Sequence, residues 1–172
     1  MTLASETRAP VGARPVRLQL SRKKGFDLQA HSRALNGLPA VKVDRSTRFG
    51  NPCTCQAPYG CPHSEEFERD AWADDNGEIS PLLCCVAVFR HYVETGLRGE
   101  GTSTGRLRFM LEGAAGYPRR AKLVAGLPSL RGKNLACWCA LCPEHAAGKP
   151  FGIHCCDCSP CHADVLGGLA NG

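Results

Sequence analysis

The sequence predicts a small three-layer α/β domain with a short, mainly parallel sheet, carrying zinc-binding loop inserts. Three observations lead there. Three short stretches have strand character, and segments with helical spacing separate them, which favours parallel pairing. The 172 residues suit one domain with a real core and are too few for two ordinary ones. Residues 137–162 hold seven cysteines and three histidines, at C-x-C and C-x-x-C spacings that suit a tetrahedral metal ion rather than core packing.

Taken in order, residues 1–14 mix Ser, Thr, Ala, Pro and Gly without periodicity and read as a flexible tail before a single domain over 15–172. Val16, Leu18 and Leu20 alternate with Arg17, Gln19 and Ser21, the pattern of a half-buried strand. Residues 40–44 form a second strand, entered through Gly37 and Pro39. A long irregular stretch follows to about residue 80, with a short helix expected at 65–72. Residues 81–95 are the best helix: Ser80 is an N-cap, Pro81 fits the first turn and Gly96 stops it. Leu82, Val86, Phe89 and Val93 mark its core face, and Cys84 and Cys85 read as small buried side chains. After a Gly/Thr/Ser linker at 98–105, short helices are expected at 107–111 and 119–125. Residues 134–139 form the third strand, and a last helix is expected with Ser159 as N-cap and Pro160 at its first position.

Composition narrows the context. No stretch approaches 18 apolar residues, so no membrane-spanning helix is expected. Residues 1–8 lack an apolar export region, which points to a reducing cytoplasmic interior where clustered thiols hold metal. The net charge of +5 is modest, with Arg8, Arg14, Arg17, Arg22, Lys23, Lys24 and Arg33 near the N-terminus. Such a run meets phosphates or forms a solvated arm, and no aromatics interleave to stack on bases. There is no P-loop and no G-x-G-x-x-G, and nothing sets the oligomeric state.

The Cys/His residues divide into three groups. Cys142-x-x-His145 and Cys155-x-x-Cys158 place two ligand pairs on two turns of one excursion, residues 140–158, a set that would hold zinc. An alternative partition pairs Cys139-x-x-Cys142 with Cys155-x-x-Cys158; either way Cys156 is spare. Upstream, Cys53, Cys55, Cys61 and His63 form a second candidate set in an insert at 53–63. Cys137 and Cys139, two apart at a strand end, point to one face, and Cys161 and His162 fall in the first turn of the last helix. There the free N–H groups favour a thiolate or anion, so these four form either a third zinc set or a catalytic surface.

Residues 47–52 (T-R-F-G-N-P), 130–139 (L-R-G-K-N-L-A-C-W-C) and 161–166 (C-H-A-D-V-L) resemble an uncharacterised domain-of-unknown-function family of bacteria and phages, with the signature GRPTxxGNP … LxGKxLxCWC … CHADVL. The resemblance runs from about Val16 to Ala170. It departs in two places: Asp44-Arg45-Ser46-Thr47 replaces the usual Gly-Arg-Pro-Thr, and residues 140–158 lengthen a connection that is short in many members. The second departure suggests a self-contained zinc module. The family supplies no reaction, but the resemblance implies that Arg45, Thr47, Asn51, Cys137, Cys139, Cys161, His162 and Asp164 belong to one site.

Two functions follow as expectations. In parallel sheets ligands sit beyond the carboxyl ends of strands, where the 44–51 loop and Cys137–Cys139 would meet the last helix's N-terminus. A nucleotide or other phosphorylated ligand would then be clamped by Arg45 and oriented by Asn51, with Cys161, His162 and Asp164 as reactive candidates. The other expectation is a zinc-stabilised nucleic-acid- or protein-binding module without catalysis. The sequence names no reaction.

Overall fold

A computed structural model describes residues 13–53, 81–96 and 118–172. The expected tail at 1–14 (apart from its last two residues), the helices at 65–72 and 107–111, the linker at 98–105 and all of the 53–63 group except Cys53 lie outside these residues. Among the described residues, β1 (Val16–Gln19), β2 (Ala40–Lys42), β3 (Asn134–Cys137) and β4 (Lys149–Pro150) form one sheet in the order β2-β3-β1-β4. β1 and β2 both pair with β3 in parallel, and β4 is antiparallel to β1. Four α-helices accompany it: α1 (Leu28–Asn36), α2 (Pro81–Thr95), α3 (Pro118–Gly126) and α4 (His162–Asn171). The fold is mixed α/β with a mostly parallel sheet. No helix among the described residues is long and apolar enough to cross a membrane.

The two-residue period of the strands sorts the core. Leu18, Leu20, Ala40 and Ala136 gather on one face with Leu28 of α1. Leu135 and Cys137 point the other way, into a larger cluster with Phe89, Tyr92, Leu123, Val165 and Leu166 from α2, α3 and α4. Buried Asn134 ties the layers together. Its Nδ2 donates to Ser32 Oγ and Asn36 Oδ1, both 2.8 Å, while its Oδ1 accepts from Val16 N at 2.9 Å.

The structure differs from the sequence reading at several elements. α1 was not expected, although its signals are present: Asp27 Oδ1 accepts from Gln29 N and Ala30 N, and Gly37 closes it at φ 76°. Gly37 thus ends a helix as well as preceding a strand. On α2, Cys84, Cys85, Val88, Phe89, Tyr92 and Val93 are buried, whereas Leu82 is exposed; the buried face is rotated from the one that Leu82 and Val86 would define. α4 begins at His162 with Cys161 as its N-cap, not at Ser159. Ser159 N donates instead to Ala140 O at 3.1 Å, holding it in the preceding loop.

Two further corrections concern β1 and the 140–158 excursion. Arg17, expected on the solvent side of a half-buried strand, is 0% exposed, because its face is covered by α4 rather than by water. The excursion is no appendage: it contributes β4, buried Lys149 and Phe151, which packs on Gly167 of α4 so closely that a Cβ there would clash. A two-residue strand containing proline leaves little alternation to read, and such strands belong at sheet edges.

Candidate functional site

Three chain segments converge at the carboxyl ends of β2 and β3. Their meeting forms a cavity of about 470 Å³ lined by Asp44, Arg45, Asn51, Trp138, Cys139 and His162, among others. The 44–53 loop is held open by its own polar network. Asp44 Oδ1 accepts from Ser46 N at 3.1 Å and Ser46 Oγ at 2.6 Å; Oδ2 accepts from Trp138 Nε1 at 2.9 Å and pairs with Lys42 Nζ at 3.0 Å. Burial alone would raise the Asp44 pKa, but the donors from Ser46, Lys42 and Trp138 outweigh it and hold the carboxyl below its ordinary range. Gly50 lies against the backbone of Asp44 and Arg45, where any Cβ would collide, so the loop folds back tightly enough to put Arg45 on the cavity wall.

On the opposite wall, Cys137 and Cys139 Sγ lie 3.8 Å apart, and with Cys161 Sγ all three sulfurs fall within 4.8 Å of one another. A tetrahedron with metal–sulfur bonds of about 2.3 Å has edges of about 3.8 Å. The three cysteines therefore fit three corners of a metal site. Thiol hydrogen bonds from Cys139 and Cys161 pull Cys137 down to about 2, while the proximity of Cys137 pushes Cys139 up to about 11 and raises Cys161. Cys161 also caps α4, its sulfur accepting from Ala163 N at 3.4 Å.

His162 faces the cavity but does not complete that set. A carbonyl can only accept, so the 2.6 Å contact to Val43 O means that His162 Nε2–H donates. Its ring meets Phe89 edge-on, with centroids 5.4 Å apart.

The second cluster lies in the 140–158 excursion. Cys142 Sγ is 3.1 Å from His145 Nδ1 and 3.8 Å from Cys155 Sγ, and Cys158 Sγ is 3.4 Å from Cys142 Sγ and 3.5 Å from His145 Nδ1. These four ligand atoms lie within 4.8 Å of one another, enough for a closed site. Cys142 N also donates to Cys158 Sγ at 3.4 Å. Both Cys/His clusters can hold a metal ion.

A family model described as a domain of unknown function (DUF4326) matches residues 27–172. The chain belongs to the DUF4326 family. No curated protein and no solved structure matches it. The matched range begins after β1, so Arg17 precedes it.

Within this DUF4326 domain the sequence-derived site residues separate into groups. Arg45, Asn51, Cys137, Cys139 and His162 line one cavity, and Cys161 adjoins it through the thiol cluster. Asn51 has its amide committed to the backbone, donating to Cys85 O at 3.0 Å and accepting from Cys53 N at 2.8 Å. Thr47 is absent from the lining and braces the turn, its Oγ1 donating to Asp44 O at 2.9 Å. Asp164 also turns away: it pairs with Arg17 Nη1 at 2.6 Å and Lys149 Nζ at 3.3 Å. Cys139 sits with Cys137 and Cys161, which separates it from the excursion's four ligands, while Cys156 is exposed. Of the upstream set, Cys53 Sγ lies 3.3 Å from Cys85 Sγ, and Cys85 is disulfide-bonded. Cys55, Cys61 and His63 lie outside the described residues.

Sequence reasoning missed Arg17, Lys149, Trp138 and Asp44. Arg17 is fully buried, donates through Nη2 to Ala140 O at 2.9 Å, and is held cationic against burial by Asp164 and then by Cys161 and Cys139. Position two of an alternating strand reads as solvent-facing whatever covers it, so only the helix placement reveals the burial. Trp138 was legible in part: a tryptophan between two clustered cysteines is a conspicuous choice for a strand end.

Proposed function

We propose that this domain is a zinc-dependent binding protein for a nucleotide or another phosphorylated small molecule, seated in the cavity between the 44–53 loop, the end of β3 and the start of α4. The observation that carries the reading is that cavity: about 470 Å³, within the range of small-ligand sites, with Arg45, Trp138 and the Cys137–Cys139 thiols on its walls. A guanidinium suits a phosphoryl group bidentately, and the partly exposed Trp138 ring offers a flat apolar surface. Zinc is the ion proposed for the two clusters, because thiolate and imidazole at tetrahedral spacing are its preferred surroundings. The excursion's ion would be structural.

Calorimetric titration of the zinc-loaded chain with adenosine monophosphate, ribose 5-phosphate and adenosine tests this. Phosphate-bearing probes should bind at least about tenfold more tightly than adenosine, roughly 1.4 kcal/mol, and Arg45→Ala should erase the difference. If neither phosphorylated probe binds at millimolar concentration, the reading fails.

One observation supports a second reading, in which the phosphates belong to a nucleic acid. Arg22 lies over the Trp138 ring, 5.0 Å from its centroid, and Lys23 and Lys24 beside it are exposed, so a basic strip runs up to the cavity mouth. On that reading, replacing Arg22, Lys23 and Lys24 weakens binding to a single-stranded oligonucleotide regardless of its sequence and flattens the salt dependence. Absence of oligonucleotide binding at low salt removes it.

A further inference from the structure

We propose that Cys137, Cys139 and Cys161 hold a divalent metal ion whose fourth coordination position is exchangeable and opens on the cavity, where it takes a water or an anionic oxygen of the ligand. The location rests on the cavity being a ligand site; the coordination rests on separate observations.

The first is the ligand count. Three sulfurs converge at tetrahedral spacing, and no fourth Cys, His, Asp or Glu among the described residues joins them. His162 could offer only Nδ1, because its Nε2–H is committed to Val43 O, and that atom does not come within 4.8 Å of all three sulfurs while the ring is held against Phe89. Closing the site with His162 would require moving a buried ring. Three protein ligands with one open position is the arrangement of reactive zinc sites, whereas closed fourfold sites are structural. The excursion supplies the closed kind in the same chain, so the two clusters differ in kind.

The second is charge. Arg17 and Lys149 are both buried and share one carboxylate, Asp164, which leaves the trio of side chains with one excess positive charge beside the thiols. Arg17 Nη2 is bonded to Ala140 O, the residue that follows Cys139, and its Nε makes no hydrogen bond among the described residues. A buried excess cation needs a counter-charge nearby. Three thiolates around a divalent ion carry one net negative charge provided the fourth ligand is neutral, as water is. Four thiolates would carry two. The electrostatics therefore match three thiolates and a neutral fourth ligand, and the missing fourth protein ligand among the described residues makes that ligand a replaceable one. Cys137 and Cys139 line the cavity, so that position is reachable from it.

Cobalt(II) reconstitution of the full chain tests this, with azide as the probe of the open position. Wild type and Cys155→Ser should both show visible cobalt bands that shift on adding azide, Cys155→Ser holding one ion fewer. Cys139→Ser should also hold one ion fewer and lose the azide response. It is preferred to Cys161→Ser because Cys161 caps α4 and its loss threatens folding. An azide-insensitive spectrum in wild type, or metal content unchanged in Cys139→Ser, overturns the proposal. Arg45→Ala separates it from the ligand reading: failure of wild type to bind phosphorylated probes, with azide sensitivity intact in Arg45→Ala, sinks the function and leaves the metal site standing.

Discussion

The two candidate metal clusters, one of three thiols and an imidazole and the other of three thiols, are built on different supports. In the excursion, Cys142, His145, Cys155 and Cys158 all come from one stretch of 17 residues and close around one point. In the other cluster, Cys137 and Cys139 come from the end of a central strand and Cys161 from a helix cap, brought together by the core and backed by a buried ion-paired group. A local cluster can form once its loop forms. A cluster assembled from the core inherits the stability of the core and couples back to it. The contrast teaches that ligand count is only part of the distinction; what else must be in place for the ligands to meet separates the clusters as well.

The largest effect should come from the group behind the core cluster. Arg17→Met leaves Asp164 with Lys149 alone and removes a charge buried beside the thiols; breaking such a buried pair costs about 3–5 kcal/mol. Urea denaturation of the metal-loaded chain measures it. The same variant should weaken metal binding at Cys137, Cys139 and Cys161 and leave the excursion's ion in place. Equal weakening at both clusters would erase the distinction between them.

Next come the ligands themselves. Cys155→Ser and Cys161→Ala should each lower metal content by one ion, but the melting temperature should fall further for Cys161→Ala, which also removes a helix cap of about 1 kcal/mol. In Cys155→Ser, increased hydrogen exchange should concentrate in 140–158, with β4 the least affected part because Lys149 and Phe151 anchor it to Asp164 and Gly167. Global unfolding of Cys155→Ser would mean that the excursion is as deeply coupled as the core cluster.

The cavity's loop gives a smaller, pH-linked effect. Because donors hold the Asp44 carboxyl below 3.8, its stabilisation is complete above that ordinary value and is lost as pH falls through the lower folded-state value. The carboxyl carbon of Asp44, followed by NMR, should titrate with a midpoint below 3.8. Trp138→Phe removes one donor, so the midpoint should move upward and stability at neutral pH should fall by about 1.5–3 kcal/mol, the range for a hydrogen bond to a charged group. An unshifted midpoint would show that Trp138 does not support the loop.

The smallest effect belongs to the surface. Arg22→Ala removes an exposed cation over the Trp138 ring, about 0.5–1 kcal/mol, and should change tryptophan fluorescence without altering metal content. A loss of metal would tie this arm to the core cluster after all.

Much of the site was legible in the sequence because short-range spacing constrains it. Cys142-x-x-His145 and Cys155-x-x-Cys158 must approach one another if their loop folds back, and Cys137 and Cys139 must share a face if they end a strand. The placement of Asp164 was not legible. Two positions along α4, roughly half a turn, separate His162, which faces the cavity, from Asp164, which faces β1, and a start displaced from Ser159 to Cys161 changes which is which. Nor could spacing decide whether Cys139 joined Cys142 or Cys161, since both partitions satisfy the same local rule. Nothing local distinguishes Arg17 from the exposed arginines of the same stretch.

The sequence by itself determined the fold class and the three parallel strands, which follow from periodicity over a few consecutive positions, and the family, which follows from its motifs. Only the tertiary structure decided whether Cys139 groups with Cys161 or with Cys142, that Arg17 and Lys149 are buried around Asp164, and that residues 149–150 complete the sheet. The burial of Arg17 and the seating of His162 depend on contacts between positions more than a hundred residues apart, Arg17 with Asp164 and Val43 with His162. The packing of α4 against the sheet creates them, and no local pattern encodes where that helix will lie.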